Sequence, residues 1–379
     1  MTIDTLTIKD FRNYAAQAVK FSPGLNVLAG ANAQGKTNLL EAAYLCCVGR
    51  SPRTAKDKEL IRWGREQGRV SVEVQKRDGK TTVEARLSRN ENKRIAINSL
   101  PISRIGELMG AVNCVFFSPD ELKIVKESPT DRRRFLDTDI CQMSKTYFYL
   151  LNRYNKILTQ RNRLLKDGDS GALNSTLPVW DEQLAAAGAG IIVTRRKFID
   201  KLKPLVKREH LFLTGGAEEI DLEYEGIGGA GAGMGASGGA GASMDVAAAK
   251  TAFLKALSDN RKRDIKYGFT GEGPHKDDFA VRLSGVDLRA FGSQGQQRTA
   301  ALSLKLAELE IFAGEIGEYP VLLLDDVLSE LDLSRQKQLL DRAQKVQTIM
   351  TCTHMDAPPE GAAVWRVEGG TVREWGIES

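Results

Sequence analysis

The chain has 379 residues, of which 42% are hydrophobic and 27% charged, and its formal net charge is +5. This length predicts two domains and allows three. No run approaches the ~18 consecutive apolar residues of a membrane span, the first residues lack the pattern of a secretory signal, and the five cysteines show no pairing or metal-ligand spacing. We therefore expect a cytoplasmic protein with reduced cysteines and no membrane contact.

Alternating apolar and polar residues predict strands in the N-terminal part of the chain, because successive side chains of a strand point to opposite faces. We expect the last three of these strands to form an antiparallel set that packs on one face. A helix is predicted to start at Thr37 and to end near Cys47. The predicted strands lie at residues 5–9, 17–21, 25–29, 70–74, 82–87 and 94–98.

The middle of the chain has helical periodicity. Apolar residues recur from Thr130 to Leu165 at the spacing expected of a single helix of about 35 residues. A second helix is predicted from Trp180 to Val206. The glycine-containing segment 168–171 joins the two, so we expect an antiparallel helical pair.

Changes of composition divide the chain into three parts. The segment 226–243 is nearly all Gly, Ala and Ser, which offers too little apolar surface to offset the entropy of ordering, so it predicts a flexible loop. A short helix from Val246 to about Asn260 and a strand at residues 278–283 follow. We predict an N-terminal part of a β-rich head at 1–117, an inserted helical lobe at 118–270, and a C-terminal part of the head at 271–379.

Positive charge is concentrated in the helical part. Between Arg132 and Arg208 there are 16 Lys and Arg against 7 Asp and Glu. Such an excess favours binding of a polyanion through counterion release, although solvated helix faces also carry many charges. Arg195, Arg196 and Lys197 are the candidate contacts with a polyanion such as DNA.

Residues 30–37 fit the pattern GxxxxGK[ST], which is a phosphate-binding loop when it joins a strand to a helix. Its glycines let backbone N–H groups surround phosphate oxygens at the N-terminus of the helix. Lys36 is expected to reach the β- and γ-phosphates, and the Thr37 hydroxyl to bind Mg²⁺. The predicted nucleotide-binding residues are Gly30, Ala31, Asn32, Ala33, Gln34, Gly35, Lys36, Thr37 and Asn38.

The segment from Pro320 to Asp326 supplies the second half of a nucleotide site. Its four consecutive apolar residues predict a strand that is buried on both faces of a parallel sheet. A carboxylate directly after such a strand lies at the carboxyl edge, where ligands of open α/β sheets bind. Asp325 is therefore the second candidate ligand of Mg²⁺.

A further helix N-terminus carries Ser293, Gln294, Gly295 and Gln296, and small polar residues in that position can bind an anion. Together with Ser329–Asp332 and Thr351–His354, the order of motifs resembles the ABC ATPase superfamily. The resemblance implies an α/β fold, in which an ABC-type ATPase head combines a mixed sheet and P-loop helix with an antiparallel β subdomain, plus an inserted helical lobe.

The superfamily resemblance also implies roles for these residues. Residues 293–296 stand at the signature motif, which would close on ATP bound by a second copy of the chain, so ATP and Mg²⁺ would hold a homodimer together. The catalytic set would be Lys36, Asp326, Ser293 and His354. Asp326 stands where superfamily members that hydrolyse ATP quickly have Glu.

More specific segments resemble the RecF family. That family is implied to bind DNA in an ATP-dependent way, at a duplex or at a junction of single strand and duplex, with weak DNA-stimulated ATP hydrolysis. It would act in recombinational repair and replication restart, with RecR and RecO, to load recombinase at gaps. The segments that carry the resemblance are residues 6–14, 49–54, 117–122, 131–137, 273–279 and 293–299.

Several alternatives stay open at this point. An energy-coupling subunit of a membrane transporter and a scaffold that binds ATP without hydrolysis are the competing functions. His275, Asp277 and Asp278 either form a metal or catalytic cluster or make hydrogen bonds that lock the lobe onto the head. The arginines at 132–134 would bind DNA phosphate, ATP phosphate across a dimer, or neighbouring carboxylates.

Overall fold

The computed structural model describes residues 1–216, 218–227, 244–353 and 359–375. The chain divides into two compact units, the first formed by Met1–Leu122 with Arg298–Ser379 and the second by Lys123–Gln297. The boundary between Gln297 and Arg298 falls inside a helix. It lies later in the chain than the expected boundary at 270/271, because the strand at residues 278–283 pairs within the second unit. Of the predicted loop at 226–243, residues 228–243 lie outside the described residues.

An antiparallel sheet of six strands forms one layer of the first unit. In register across it, Ile8, Val70, Ala85 and Ile95 point inward and are buried. The alternation of residues therefore predicted both the strands and their inward face correctly. In spatial order the strands are Tyr14–Lys20, Thr2–Phe11, Gln67–Lys76, Gly79–Ser88, Arg94–Ile97 and Leu100–Pro101.

A second sheet of six strands forms the other layer of this unit. All of its neighbouring strands pair in parallel except Ala363–Glu368 and Thr371–Glu374, which form an antiparallel hairpin. Val321–Leu324 is buried throughout and has a parallel partner on each side, which its unbroken apolar run predicted. In spatial order the strands are Thr371–Glu374, Ala363–Glu368, Leu25–Ala29, Thr348–Cys352, Val321–Leu324 and Cys114–Phe117.

Three longer helices lie partly or wholly in the first unit. The P-loop helix Lys36–Val48 is buried along nearly its whole length, and Leu333–Ala343 begins at the capping residue Asp332. The third helix, Gln294–Ile316, buries Leu302, Leu306, Leu309 and Phe312, as the sequence predicted. Short 3-10 turns lie at Asp57–Leu60, Ile105–Glu107, Pro119–Leu122 and Leu328–Glu330.

The second unit is mainly helical and contains a three-stranded antiparallel sheet in the order Val286–Asp287, Asp278–Leu283, Ile220–Glu225. The prediction of one long helix from Thr130 to Leu165 was wrong. The backbone of Ser144 is extended, and its hydroxyl accepts a hydrogen bond from the N–H of Tyr147, which starts a new helix. The helices are Lys123–Lys126, Pro129–Met143, Lys145–Asp167, Ser170–Thr214, Val246–Tyr267 and Leu288–Phe291.

The helix Ser170–Thr214 has 45 residues and extends well beyond the predicted 180–206. It contains Pro178 and Pro204, which usually interrupt a helix and which made its ends hard to predict. Among the described residues, no helix has both the length and the apolar character that crossing a membrane requires.

Candidate nucleotide-binding site

The phosphate-binding loop joins the strand Leu25–Ala29 to the P-loop helix Lys36–Val48. Both of its glycines are required by close packing. A Cβ on Gly30 would collide with the carbonyl oxygen of Val367, and a Cβ on Gly35, whose φ is 114°, would lie 2.6 Å from the side-chain amide of Asn13. The loop thus lies against its neighbours where only glycine fits.

Lys36 lies inside the curve of this loop. Its Nζ donates hydrogen bonds to the carbonyl oxygens of Gly30 and Ala31, at 2.6 and 2.8 Å. Burial lowers the pKa of the Lys36 ammonium, and the carboxylates of Asp326 and Asp325 oppose this shift. The cation therefore interacts electrostatically with both aspartates at the end of the strand Val321–Leu324, which lies two strands away from Leu25–Ala29 in the sheet.

Thr37 and Asp325 meet as the sequence predicted. The Thr37 Oγ1 donates to Asp325 Oδ1 at 2.8 Å, and Thr351 Oγ1 donates to the same oxygen at 3.0 Å. Burial raises the pKa of Asp325, and these two hydrogen bonds oppose the shift. A hydroxyl and a carboxylate at this separation fit two of the oxygen ligands of Mg²⁺. Such an ion would need phosphate or water oxygens for its other positions.

Asp326 has a backbone conformation that is uncommon for a residue with a side chain, with φ of 52°. Two hydroxyl groups hold it in place, one in the strand Thr348–Cys352 and one directly after that strand. Its N–H donates to Thr351 Oγ1 at 2.8 Å, and its Oδ1 accepts from Thr353 Oγ1 at 3.2 Å. The two consecutive aspartates therefore point in different directions, and only Asp325 contacts Thr37.

Residues at the turn between the strands Thr2–Phe11 and Tyr14–Lys20 form hydrogen bonds with the phosphate-binding loop. Asn13 Nδ2 donates to the carbonyl of Gln34 at 2.9 Å and Tyr14 Oη to that of Gly35 at 3.0 Å, while Asn38 Nδ2 donates to Asn13 Oδ1 at 2.8 Å. The sequence placed Asn38 in the site but gave no role to the turn. Its position in the RecF-like segment 6–14 was the signal that could have indicated one.

Glu41 is a buried carboxylate on the P-loop helix, with no exposed surface. Arg12 binds both of its oxygens, at 2.8 and 2.7 Å, and the Ser51 hydroxyl donates to it at 2.5 Å. Arg53 lies 3.7 Å from Glu41 and also donates to Asn38 Oδ1 at 3.1 Å. This network joins two of the RecF-like segments to the helix that carries Lys36 and Thr37.

The signature segment starts the helix Gln294–Ile316. Ser293 Oγ accepts from the N–H of Gln296 at 3.2 Å, and Gln296 Oε1 accepts from the N–H of Ser293 at 2.9 Å, which forms a capping box. The Gln296 Nε2 also donates to Glu218 Oε1 at 2.7 Å. Ser293, Gln294 and Gly295 are exposed. The sequence did not identify Glu218, which lies just before the strand Ile220–Glu225.

The remaining predicted positions have three outcomes. Ser329 Oγ donates to the carbonyl of Asp326 at 2.7 Å, and Asp332 caps the following helix. His354 lies outside the described residues. Arg196 is half-buried, with its guanidinium 5.8 Å from the Tyr224 ring centre, and Lys197 is exposed.

The structure contradicts the predicted role of Arg195. Only 2% of the residue is exposed, and its guanidinium pairs with Asp137 at 2.8 Å and donates to the carbonyl of Pro274 at 2.6 Å. Moving it to a DNA phosphate would leave Asp137 without this partner in a partly buried position, at a high cost in free energy. The prediction that Arg195 contacts DNA is wrong.

The cluster around His275 makes hydrogen bonds within the second unit. Tyr154 Oη and the carbonyl of Thr270 contact the two ring nitrogens of His275, at 2.6 and 3.0 Å. Burial lowers the pKa of His275 to about 4. Tyr224 donates to Asp277 at 2.5 Å. Of the two alternatives, these contacts favour a structural role, with partners inside the lobe rather than on the head.

Two of the three arginines at 132–134 form hydrogen bonds with the aspartates that follow His275. Arg132 forms a paired contact with the carboxylate of Asp278, at 2.6 and 2.7 Å, and is buried. Arg133 donates to the carbonyl of Asp277 at 2.9 Å. For Arg132 this favours the neighbouring-carboxylate alternative. In the described part of the chain, no group of three or more His, Cys, Asp or Glu side chains could hold a metal ion.

Comparison with known proteins identifies the family of this chain. The family model of the RecF/RecN/SMC N terminal domain matches residues 2–368. The DNA replication and repair protein RecF of Alkaliphilus oremlandii is 44% identical over 376 residues, which cover 98% of this chain and 100% of that protein. The chain belongs to the RecF family. The RecF protein of Halothermothrix orenii is 46% identical and covers 93% of this chain and 92% of its own length.

Solved structures give the same result. The recombination mediator protein RecF-ATPrS of the RecFOR pathway has a TM-score of 0.89 and 36% identity, covering 99% of this chain and 98% of that one. An Smc head bound to the C-winged helix domain of ScpA is 15% identical with a TM-score of 0.57, so it resembles this chain in fold alone. These findings confirm the expected fold and family, and the function of the chain is that of RecF proteins in DNA replication and repair.

Proposed function

We propose that this RecF-family chain is an ATP-driven DNA-binding switch that closes as a homodimer and hydrolyses ATP slowly. The observation that carries the proposal is the contact between Thr37 and Asp325, at 2.8 Å beside the phosphate-binding loop. A related RecF was solved with ATP, which supports the same ligand here. In this proposal Lys36 and the loop amides bind the phosphates, and Thr37 and Asp325 bind Mg²⁺.

The signature segment is proposed to act on a second copy of the chain. Ser293 and Gly295 are exposed at the N-terminus of a helix of 23 residues, where backbone N–H groups can bind an anion. One chain has one loop and one signature, so a two-fold dimer completes two nucleotide sites at once. Asp326 and, from the sequence, His354 are proposed to act on the water that attacks ATP.

For DNA we propose a track on the outer face of the antiparallel sheet. Lys9, Arg69, Arg86 and Arg94 are exposed and occupy one register row across four neighbouring strands. Strands about 4.8 Å apart give this row a length of about 14 Å. Like charges directly opposite each other destabilise a sheet, and a bound phosphate backbone would remove that repulsion. Glu84 pairs with Arg69 and Arg86, and Glu91 pairs with Arg94, so two carboxylates compensate part of the charge of the four cations.

The lobe contributes less to this proposal than the sequence predicted. Arg196 and Lys197 remain proposed contacts, whereas Arg195 is excluded by its burial. RecR and RecO are proposed partners, because the related RecF structures are described as part of the RecFOR pathway.

The test is ATP-dependent binding to gapped, duplex and single-stranded DNA over a range of salt concentrations. Removing Arg69 and Arg86 together should lower the salt-dependence slope by about one unit for each lost phosphate contact. Arg373→Ala, which removes an exposed arginine of an edge strand, is the matched control. An unchanged slope would show that DNA binds elsewhere.

Lys36→Met tests the nucleotide part of the same proposal. It should abolish ATP binding together with ATP-dependent dimerisation, because it removes the cation that meets the β- and γ-phosphates. Sedimentation of the variant with ATP would refute the dimer mechanism if it still showed a dimer.

A further inference from the structure

A group of exposed apolar side chains lies where the helix Val246–Tyr267 ends. Ile265, Tyr267 and Phe269 are 38%, 57% and 41% exposed. The rings of Tyr267 and Phe269 lie 6.2 Å apart at an angle of 41°. Together with Lys266 and Lys276 we call these residues the aromatic–lysine patch. None of them takes part in the nucleotide site or in the proposed DNA track.

Each ring of the patch carries a lysine ammonium on one face. Lys266 Nζ lies 5.4 Å from the centre of the Tyr267 ring, and Lys276 Nζ lies 5.5 Å from that of Phe269. These are cation–π distances. The two lysines therefore cover one face of each ring and leave their ammonium groups at the edge of an apolar surface.

The patch stands on a rigid base. Arg161, which is fully buried, donates to Asp264 and to the Thr270 hydroxyl, both at 2.8 Å. Asn162 accepts from the N–H of Thr270 at 2.8 Å. These bonds connect the helix Lys145–Asp167 to Asp264 and Thr270, which stand just before and just after the exposed side chains in the sequence. A preorganised surface loses little entropy when a partner binds.

Positive charge predominates around the patch, where the carboxylate of Glu272 interacts with Arg263 and Lys276. Lys166, Lys262 and Arg263 are exposed on the last turns of the two helices, and Lys166 packs against Gly268. Helix C-termini favour such cations on their own, which accounts for part of the charge. That effect does not account for three exposed apolar side chains in five residues. Apolar centres with charged rims are typical of protein interfaces.

We propose that the aromatic–lysine patch is a docking site for an acidic protein segment that also carries an apolar side chain. The cations would pair with its carboxylates, and Ile265 and the free sides of the rings would pack against its apolar group. A nucleic acid fits less well, because an isoleucine offers no stacking surface and lysines already cover one face of each ring. The proposal adds a partner that neither ATP binding nor the DNA track requires.

Two experiments on the full chain test it. The first measures binding of a fluorescent acidic peptide with two leucines, beside a peptide with serines in their place and an oligothymidine. The variant with Tyr267→Ser and Phe269→Ser should bind the leucine peptide at least about tenfold more weakly. The control variant, Tyr149→Ser, changes an exposed tyrosine near the start of the helix Lys145–Asp167, leaves the charge unchanged and should bind normally.

The second experiment replaces Phe269 by a photo-crosslinking phenylalanine analogue in cells and identifies the captured contact by mass spectrometry, with Tyr149 replaced as control. An acidic protein segment captured only from Phe269 supports the proposal. Capture of DNA, equal capture from both positions, or equal binding of the three probes would overturn it. ATP-dependent DNA binding by the serine variant should stay unchanged, and its loss would show that the patch contacts DNA, which would also overturn the proposal.

Discussion

Asp326 offers a quantitative test of how fast this chain can hydrolyse ATP. Its carboxylate is fixed by the 3.2 Å hydrogen bond from Thr353 and by the bond from its own N–H to Thr351. A glutamate in the same frame would reach about 1.5 Å further, the length of one carbon–carbon bond. Orientation of the attacking water depends on hydrogen bonds of about 2.6–3.2 Å, so a shortfall of this size costs on the order of 10²-fold in rate.

The assay is single-turnover hydrolysis in the proposed DNA-bound dimer. Wild type should be slow, Asp326→Asn slower by a further ~10²-fold because the amide accepts no proton, and Asp326→Glu faster than wild type by up to ~10²-fold because its reach is restored. Asp326→Asn hydrolysing as fast as wild type would show that Asp326 is not the catalytic carboxylate. An unchanged rate for Asp326→Glu would show that reach does not limit the reaction.

Three further outcomes are expected. Ser293→Arg should leave ATP binding by the monomer intact and block dimerisation, as nucleotide titration and sedimentation would show; equal loss of both would place the residue in its own chain's pocket. Glu218→Ala should lower the hydrolysis rate about tenfold without changing ATP affinity, because the hydrogen bond to the Glu218 carboxylate holds Gln296. Glu218→Gln, which keeps an acceptor oxygen, should restore the rate. Parallel loss of thermal stability in both variants would indicate a structural role only. Burial lowers the pKa of His275 to about 4, so the stability that its neutral ring contributes is complete above its ordinary pKa of about 6.5 and is lost as the pH falls towards 4. Urea unfolding of His275→Gln should depend less on pH across that interval than unfolding of wild type, and identical pH profiles would contradict the assignment.

The sequence predicted those parts of the site that depend on contiguous residues. The loop at 30–37, the buried strand before Asp325 and the helix after Ser293 each have a local pattern with one physical explanation. Charge counting was less informative, because it could not separate Arg195, paired inside the lobe, from the exposed Lys197. Pairing between distant segments decides which cations are available.

Local pattern also failed where a single residue outweighed a long periodic run. Ser144 ends one helix and begins the next inside an apolar repeat that continues through it. The strand Asp278–Leu283 was recognised, but its partner Ile220–Glu225 is far away in sequence and has the same alternation as many other strands. Register between distant strands is set by tertiary packing, which no local window contains.

The strand Thr348–Cys352 lies between the strand that leads into the phosphate-binding loop and the strand that ends at the aspartates. Its carboxyl end touches both: the carbonyl of Cys352 accepts from the N–H of Gly30 at 3.2 Å, and the Thr351 hydroxyl contacts Asp325 and Asp326. One strand end therefore sets the distance between the phosphate-binding loop and the aspartates, across which the proposed triphosphate and metal ion would lie. A shift of a few tenths of an ångström at that end would move its contacts with the loop and its contacts with the aspartates together. The two halves of the pocket therefore cannot be adjusted independently.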